Sequence, residues 1–334
     1  MERKGITAAG NWIVDKPKII DDFPPQDGLC NILEESASNG GGPYNLLKDL
    51  AKMKVSFPLQ GIGVIGEDDA GAFILHDCVN HQIDKTFITK TTEKGTSYTD
   101  VMTSGKTGRR TFFHYRGANS LLDIHHFPVE KISSKIFYLG YLLLLDQLDM
   151  PTNDNLTKAA ILLQNIQQSG MRTAVDIVSE NSDRFTKIVP PALPFIDYLF
   201  VNEYEASKIT GLQASEKLED MELAGKELLN MGVKTQVFIH APHGAVSVRN
   251  DGEITTQASL NVPNEFIKGS AGAGDAFAAG VLHGLHEGKS TQEMLEAGVC
   301  IAAASLRHPS CSEMVVSLGE SFSLAKKYGY RVMK

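Results

Sequence analysis

No two of the four cysteines, Cys30, Cys78, Cys300 and Cys311, are spaced like a zinc knuckle. That excludes a short zinc framework and leaves them as free thiols, as expected of a cytoplasmic protein. Long apolar runs are missing as well. The most apolar stretch, Ile136 to Leu145 (IFYLGYLLLL), is about half of what a membrane span needs and predicts a buried strand. The opening MERKGITAAGNWIV has no signal-peptide h-region or cleavage site. There is no dense Lys/Arg block: 32 basic against 40 acidic residues give a net charge of −8. This argues against nucleic acid or an anionic membrane as the main partner. Of the histidine pairs His125-His126 and His283/His286, the second could share a helix face, but neither is read as part of a metal set. No fixed-period repeat or low-complexity tract occurs.

What remains is an ordinary globular chain of 334 residues, 42% hydrophobic and 22% charged, long enough for a large core. Short β-rich runs alternate with helical patterns, which predicts a largely parallel sheet covered by helices. Core strands are expected at Ile6–Ala9, Leu59–Val64, Ile136–Leu139, Thr173–Val178, Tyr198–Val201 and Gln236–His240. Helices are expected at Gly42–Lys52, Ala70–Asn80, Asn155–Ser169 and Ala214–Met231, and after Ser290, which stands at capping-box spacing from Glu293. TSYTDVMT (Thr96–Thr103) and RTFFHY (Arg110–Tyr115) flank SGKTG and predict a β-hairpin. Val14–Leu29, with three prolines, cannot be helix throughout. The expectation is one α/β domain over 1–334 with a small β-rich lid from about 14–29 and 96–115.

Two motifs invite a wrong reading. GIGVIG (Gly61, Gly63, Gly66) matches the dinucleotide fingerprint, with Asp84 at a suitable distance, but Ile62, Val64 and Ile65 continue a strand where the motif needs a turn. GKT (Gly105–Thr107) lacks the earlier P-loop glycine and falls at a hairpin tip. No protein-kinase or G-x-S-x-G set appears.

Three other motifs carry chemistry. KGSAGAGDAFAAG (Lys268–Gly280) runs small residues into Asp275 at a helix start. Bare amides there can hold an anion beside the carboxylate, or Asp275 can simply cap the helix. NGGGPYNLL offers Gly40, Gly41 and Asn45 either to a polyol or to a flexible loop. VNEYEA places Asn202 and Glu205 either as a capping box or as a carboxylate organising Mg²⁺ and its waters.

Together these pieces resemble the ribokinase-like (pfkB-type) carbohydrate kinase family. GNWIVD (Gly10–Asp15), GGGPYN, GVIGEDDAG (Gly63–Gly71), RTFFHYRGAN (Arg110–Asn119), VNEYEA and GAGDAFAAG follow in family order over nearly the whole chain. The resemblance implies a doubly wound α/β body with a β lid, and transfer of the ATP γ-phosphate to a hydroxyl. It implies Asp275 as general base and an anion hole from the amides of Gly272, Ala273, Gly274 and Asp275. It assigns Asp15 (at the end of β1), Gly41, Gly42, Asn45, Arg116, Asn119 and Asp176 to the sugar. Asn202 and Glu205 go to phosphates and Mg²⁺, with Glu205 the metal residue, and Ala241 and Gly244 to the nucleotide side. ATP and a small sugar are the expected partners, with a homodimer through the lid.

The departures cluster on the nucleotide side. Gly269 and Ser270 stand where the family has Asp and Thr, which puts K⁺ activation in doubt. IHAPHG (Ile239–Gly244) has Ala241 where a strand-end glycine is usual, and VCIAAAS (Val299–Ser305) only echoes a family helix. Lid aromatics Tyr98, Phe112, Phe113 and Tyr115, with Trp12 and Tyr44, can pack the lid or stack on a base. The rivals are therefore a nucleoside kinase on the same fold, and a catalytically reduced homologue that only binds sugar.

Overall fold

The computed structural model describes residues 3–213 and 215–333. Its main sheet has nine strands. From one edge these are β14 (Ile254–Ala258), β13 (Gly244–Arg249), β12 (Gln236–Ala241), β11 (Tyr198–Asn202), β10 (Arg172–Ile177), β9 (Ile136–Leu142), β1 (Ile6–Gly10), β5 (Leu59–Gly66) and β6 (Asp84–Thr91). Every neighbouring pair from β12 to β6 is parallel, and β12–β13–β14 is antiparallel. Alternate residues point to opposite faces, so both faces must be apolar in a sheet covered twice. Leu199 and Val201 of β11 enter one core cluster, whereas Phe200 enters the other. The fold is a doubly wound, mainly parallel α/β sheet.

Helices α1 (Gly42–Lys52), α2 (Asp69–Asn80), α3 (Lys158–Gln168), α4 (Phe185–Ile188), α5 (Glu203–Thr210), α6 (Leu218–Asn230), α7 (Ala273–Glu287), α8 (Thr291–Ser305) and α9 (Leu318–Tyr328) cover it. The Ser290–Glu293 pair forms a reciprocal capping box at the start of α8. The helix expected from Asn155 begins at Lys158 instead. Thr157 caps it, and Asn155 has a left-handed φ of 59° that ends any helix there. Of the helix expected over Ala214–Met231, Ala214 lies outside the described residues and α6 spans Leu218–Asn230.

A second sheet has the order β3 (Ile32–Glu35), β2 (Ile13–Ile20), β7 (Tyr98–Ser104) and β8 (Arg110–Tyr115), with β4 (Ser38–Gly40) also on β2. Sequence patterns miss β3, β4, β6, β13 and β14, and they treat Gly10–Asp15 as the end of β1. In the structure β1 stops at Gly10 and Asp15 lies on β2, in the other sheet.

The GIGVIG glycines lie inside β5 and serve packing. A Cβ on Gly63 would stand 2.1 Å from Cδ1 of Trp12, and one on Gly61 2.5 Å from its Cζ2. The indole is fully buried against this strand and donates from Nε1 to the Ile62 carbonyl at 2.9 Å. It also stacks on Tyr44 with ring centroids 5.2 Å apart.

Candidate active site

Helix α7 begins where the small-residue run predicts. Gly272 is its N-cap at φ 74°, a backbone that favours glycine, and a Cβ there would meet Cβ of Cys311 at 2.5 Å. Asp275 is the third helical residue and makes no capping bond, so the simple capping reading fails. Among the described residues no acceptor takes the N–H groups of Gly272, Gly274 or Asp275. These donors and the helix dipole form an anion site with nothing larger than a methyl side chain at 271–274.

The Asp275 carboxylate is buried. Tyr141 donates its phenolic hydrogen to it, with the oxygen 2.7 Å from both Oδ1 and Oδ2, and Asn45 Nδ2 donates to Oδ2 at 2.8 Å. Burial pushes the carboxyl up to about 6, and these two hydrogen bonds oppose the rise. Asn39 Nδ2 in turn donates to Asn45 Oδ1 at 2.7 Å and to Ser312 Oγ at 2.8 Å. Asn45 therefore orients the Asp275 carboxylate, where the sequence pattern assigns it to sugar hydroxyls. Tyr141 escapes sequence reading because it sits in the apolar run of β9. The signal available was a phenol at a strand end, since a buried Tyr hydroxyl needs a partner.

Two more buried carboxylates face the same region. Asp176, near the end of β10, takes its hydrogen bonds from the Ile177 amide at 2.8 Å and the Tyr138 phenol at 3.3 Å. Burial holds it well above the usual carboxylate range, and the charges of Asp275 and Glu205 add to the rise. Glu205 and Asn202 form the reciprocal capping box of α5, so local capping is real. Yet Glu205 is buried and lines the cleft, with Oε1 accepting from Ser179 at 2.6 Å and Oε2 from the Asn202 amide at 2.9 Å. Burial pushes it to about 7. Among the described residues no group of three His, Cys, Asp or Glu side chains could cage a metal ion. Mg²⁺ needs no such cage, because it keeps waters and takes one or two carboxylates plus phosphates. Several acids without a cation between them, beside an anion site, suit that ion.

These residues line a cleft of about 580 Å³. Asp176, Ser179, Asn202 and Glu205 form part of its wall, Gly272 to Asp275 another, and Ala241 and Gly244 a third. The remainder is apolar and includes Leu260, Val262, Ile267, Phe277, Val299 and Leu306. Half-buried His240 also lines it, held down to about 4 by desolvation, and so stays neutral near pH 7.

Ala271 faces a small cavity of about 30 Å³ on the other side, with Asp15, Ser38, Arg110, Phe112 and Cys311. Burial lifts Asp15 to about 7, opposed by hydrogen bonds from Thr99 and Cys311. A Cβ on Gly40 would come within 2.4 Å of the Asp15 carboxyl carbon, so this glycine leaves room for the acid. Gly41, at φ 85°, and Gly42 serve close packing: their Cβ atoms would meet the Asn11 carbonyl at 2.1 Å and the Tyr141 ring at 2.9 Å.

Two residues assigned to the sugar have other partners in this structure. Asn119 is buried with both ends of its amide on the Trp12 main chain, at 3.1 Å each, which occupies it structurally. Arg116 pairs with Asp146 at 2.6 Å and lines neither cavity. Gly269 explains its own departure, because a Cβ there would stand 2.7 Å from Cα of Pro309 and an Asp would collide. Of the aromatics, Trp12 and Tyr44 are core, while Phe112, Phe113 and Tyr115 are exposed on β8.

The sequence profile of the pfkB family carbohydrate kinases matches residues 20–317. Among curated relatives, the 5-dehydro-2-deoxygluconokinase of Clostridium beijerinckii is 26% identical over 317 residues, covering 90% of this chain and 88% of that one. Adenosine kinase 1 of Arabidopsis thaliana is 28% identical over 133 residues, 38% of each chain. The fold matches the Arabidopsis thaliana ribokinase solved with ribose and ATP, at a TM-score of 0.79 and 20% identity over 98% of this chain and 99% of that one.

Proposed function

The chain belongs to the pfkB family of carbohydrate kinases, and from that premise we propose that it moves the γ-phosphate of ATP to a hydroxyl of a sugar or related polyol. The observation that carries this reading is the junction at Ala271–Asp275. Free amides and a buried acid stand between the large cleft and the small Asp15 cavity. ATP occupies the large cleft with its γ-phosphate at the amides of Gly272, Gly274 and Asp275. The acceptor lies on the Asp15 side under the second sheet, which acts as its lid.

Asp275 takes the proton of the acceptor hydroxyl as that oxygen attacks the γ-phosphorus. The bond from phosphorus to the bridging β-oxygen breaks, and ADP leaves. A base with a pKa of about 6 suits this task, being ionised at neutral pH while still able to accept a proton. The fixed amides stabilise charge on the equatorial oxygens without reorganising, and most phosphoryl-transfer catalysis is of this kind. Bound Mg²⁺ neutralises phosphate charge; Glu205 and Asp176 are the residues that would hold it or its waters.

The family relationship favours a sugar, and so does the burial of Trp12 and Tyr44, which removes two of the rings that could flank a nucleoside base. Four free thiols and the lack of a membrane-length apolar helix among the described residues fit a cytoplasmic enzyme. Exposed Ile32, Leu33 and Phe113 on the second sheet support a homodimer through that surface.

The test is coupled ADP release with Mg·ATP over a panel of sugars, sugar acids and nucleosides, with and without K⁺. Turnover of one acceptor class, absent in Asp275→Asn, supports the proposal. Turnover confined to nucleosides overturns the sugar acceptor. A sugar that raises the melting temperature but is never phosphorylated favours a binding-only protein.

A further inference from the structure

Beyond the kinase machinery, one cation in the large cleft has no role in that reaction. We propose that the segment Gly329–Met333, which follows α9, forms a wall of the donor-nucleotide site, and that Arg331 contacts the nucleoside end of the bound nucleotide. This rests on the kinase reading given above.

The segment is fastened to the cleft by its backbone. The Asn261 amide donates to the Gly329 carbonyl at 2.9 Å, the Arg331 amide donates to the Ser259 carbonyl at 2.8 Å, and Leu260 and Tyr330 form an antiparallel bridge. The Tyr330 hydroxyl donates to Glu296 Oε1 at 2.6 Å, which ties the segment to α8. Met333 packs on Gly244, where a Cβ would stand 2.9 Å from the methionine methyl carbon. The glycine that the family pattern gives to the nucleotide therefore makes room here for another piece of this chain.

Arg331 is the one Lys or Arg among the residues lining the large cleft. Its Nε donates to the Leu260 carbonyl at 3.3 Å, and one terminal nitrogen donates to Nδ1 of His243 at 3.2 Å. His243 Nε2 in turn stands 3.0 Å from Glu216 Oε2. Among the described residues no carboxylate pairs with Arg331 itself, and its other terminal nitrogen has no partner. A permanent cation left unpaired in a cleft favours a ligand there. Position decides which part of the ligand. The phosphate end is fixed by the amides of Gly272 to Asp275, whereas Arg331 is bonded to Leu260, in the apolar wall. A planar guanidinium beside an apolar slot suits the face or edge of a flat base and the adjoining ribose.

The test measures binding by calorimetry with two probes, ADP and inorganic tripolyphosphate, to the wild type, Arg331→Ala and Arg331→Lys. In Arg331→Ala we expect ADP affinity to fall about tenfold, the loss of one good polar or cation–π contact. Tripolyphosphate affinity stays unchanged, and KM for ATP rises with kcat within about twofold. Arg331→Lys keeps the charge and the backbone bonds but not the planar fork, and falls between. An equal loss for both probes means that Arg331 serves the phosphates and overturns the inference. Unchanged ADP affinity in a folded Arg331→Ala overturns it as well. A wild type that binds no nucleotide overturns the kinase reading, and this inference with it.

Discussion

The phenol of Tyr141 stands 2.7 Å from both carboxylate oxygens of Asp275, although 134 residues separate the two in sequence. Tyr141 is the last but one residue of β9, an inner strand paired directly with β1, and Asp275 lies in the first turn of a helix packed across that end of the sheet. The parallel topology brings strand ends and helix starts to one edge, which is where α/β sheets gather their ligands. A hydrogen bond to the charged form favours ionisation, so Tyr141 lowers the proton affinity of Asp275.

Replacing Tyr141 with Phe removes that donor and raises the proton affinity of Asp275. The acid limb of the pH–rate profile, expected near pH 6 in the wild type, then moves to higher pH. The plateau kcat falls only several-fold, well short of the about hundredfold or more for loss of the base itself. A profile of kcat against pH checks this, and an unmoved limb would show that Tyr141 only fills space.

Asp275→Asn separates activity from stability. It should lower kcat by more than about a hundredfold while acceptor and nucleotide still bind. Because the native pKa of about 6 lies above the usual 3.8 of an Asp side chain, the native state holds its proton more tightly than the unfolded chain does. Ionisation therefore costs stability progressively as pH rises from about 4 to about 6, and the cost stays constant above. The variant escapes it. Denaturant titrations should find it more stable than the wild type at pH 8, by at most about 3 kcal/mol, the free-energy equivalent of a rise from 3.8 to about 6. Near pH 4 the gain should vanish.

Gly272→Ala tests the anion hole without touching a charge. The substitution forces a side chain onto a φ of 74° and into Cys311, so we expect a loss of about 1–3 kcal/mol from strain at this backbone. Activity should drop further than stability explains, seen as lower kcat in samples still folded by circular dichroism.

Gly63→Ala tests the packing role of the GIGVIG run. The methyl overlaps the Trp12 indole, and overpacking of this kind costs about 1–3 kcal/mol. The melting temperature should fall with no specific loss of ATP binding, and neither protein should bind NADH.

The exposed face of the second sheet predicts self-association. Leu33 is 60% exposed and Phe113 52%, on the edge strands β3 and β8. Light scattering should give a dimer for the wild type and a monomer for Leu33→Lys/Phe113→Lys. A wild-type monomer at high concentration would remove the proposed interface.

Much of this was legible along the chain. The run of small residues before Asp275 and the alternation of β-rich and helical patterns are local signals, and local signals fix element type and helix starts. Ser290–Glu293 and Asn202–Glu205 cap helices because three residues of spacing suffice for a capping box. The GIGVIG run could be rejected as a fingerprint for the same reason, since its apolar residues continued a strand. What the glycines were for could not be read, because Trp12, which fills their space, lies far away in sequence. Nor could the occupation of Asn119 by the Trp12 backbone, the turning of Asn45 towards Asp275, the transfer of Asp15 to the second sheet, or the arrival of Tyr141 and Arg331 beside the cleft. Each depends on which groups meet across elements and on how burial shifts their protons. The sequence by itself determined the kind of chemistry, by supplying one acid behind bare amides at a helix start. Only the tertiary structure decided which side chains hold that acid, which are occupied elsewhere, and that Arg331 lines the large cleft, because those contacts join residues that packing, and not spacing, brings together.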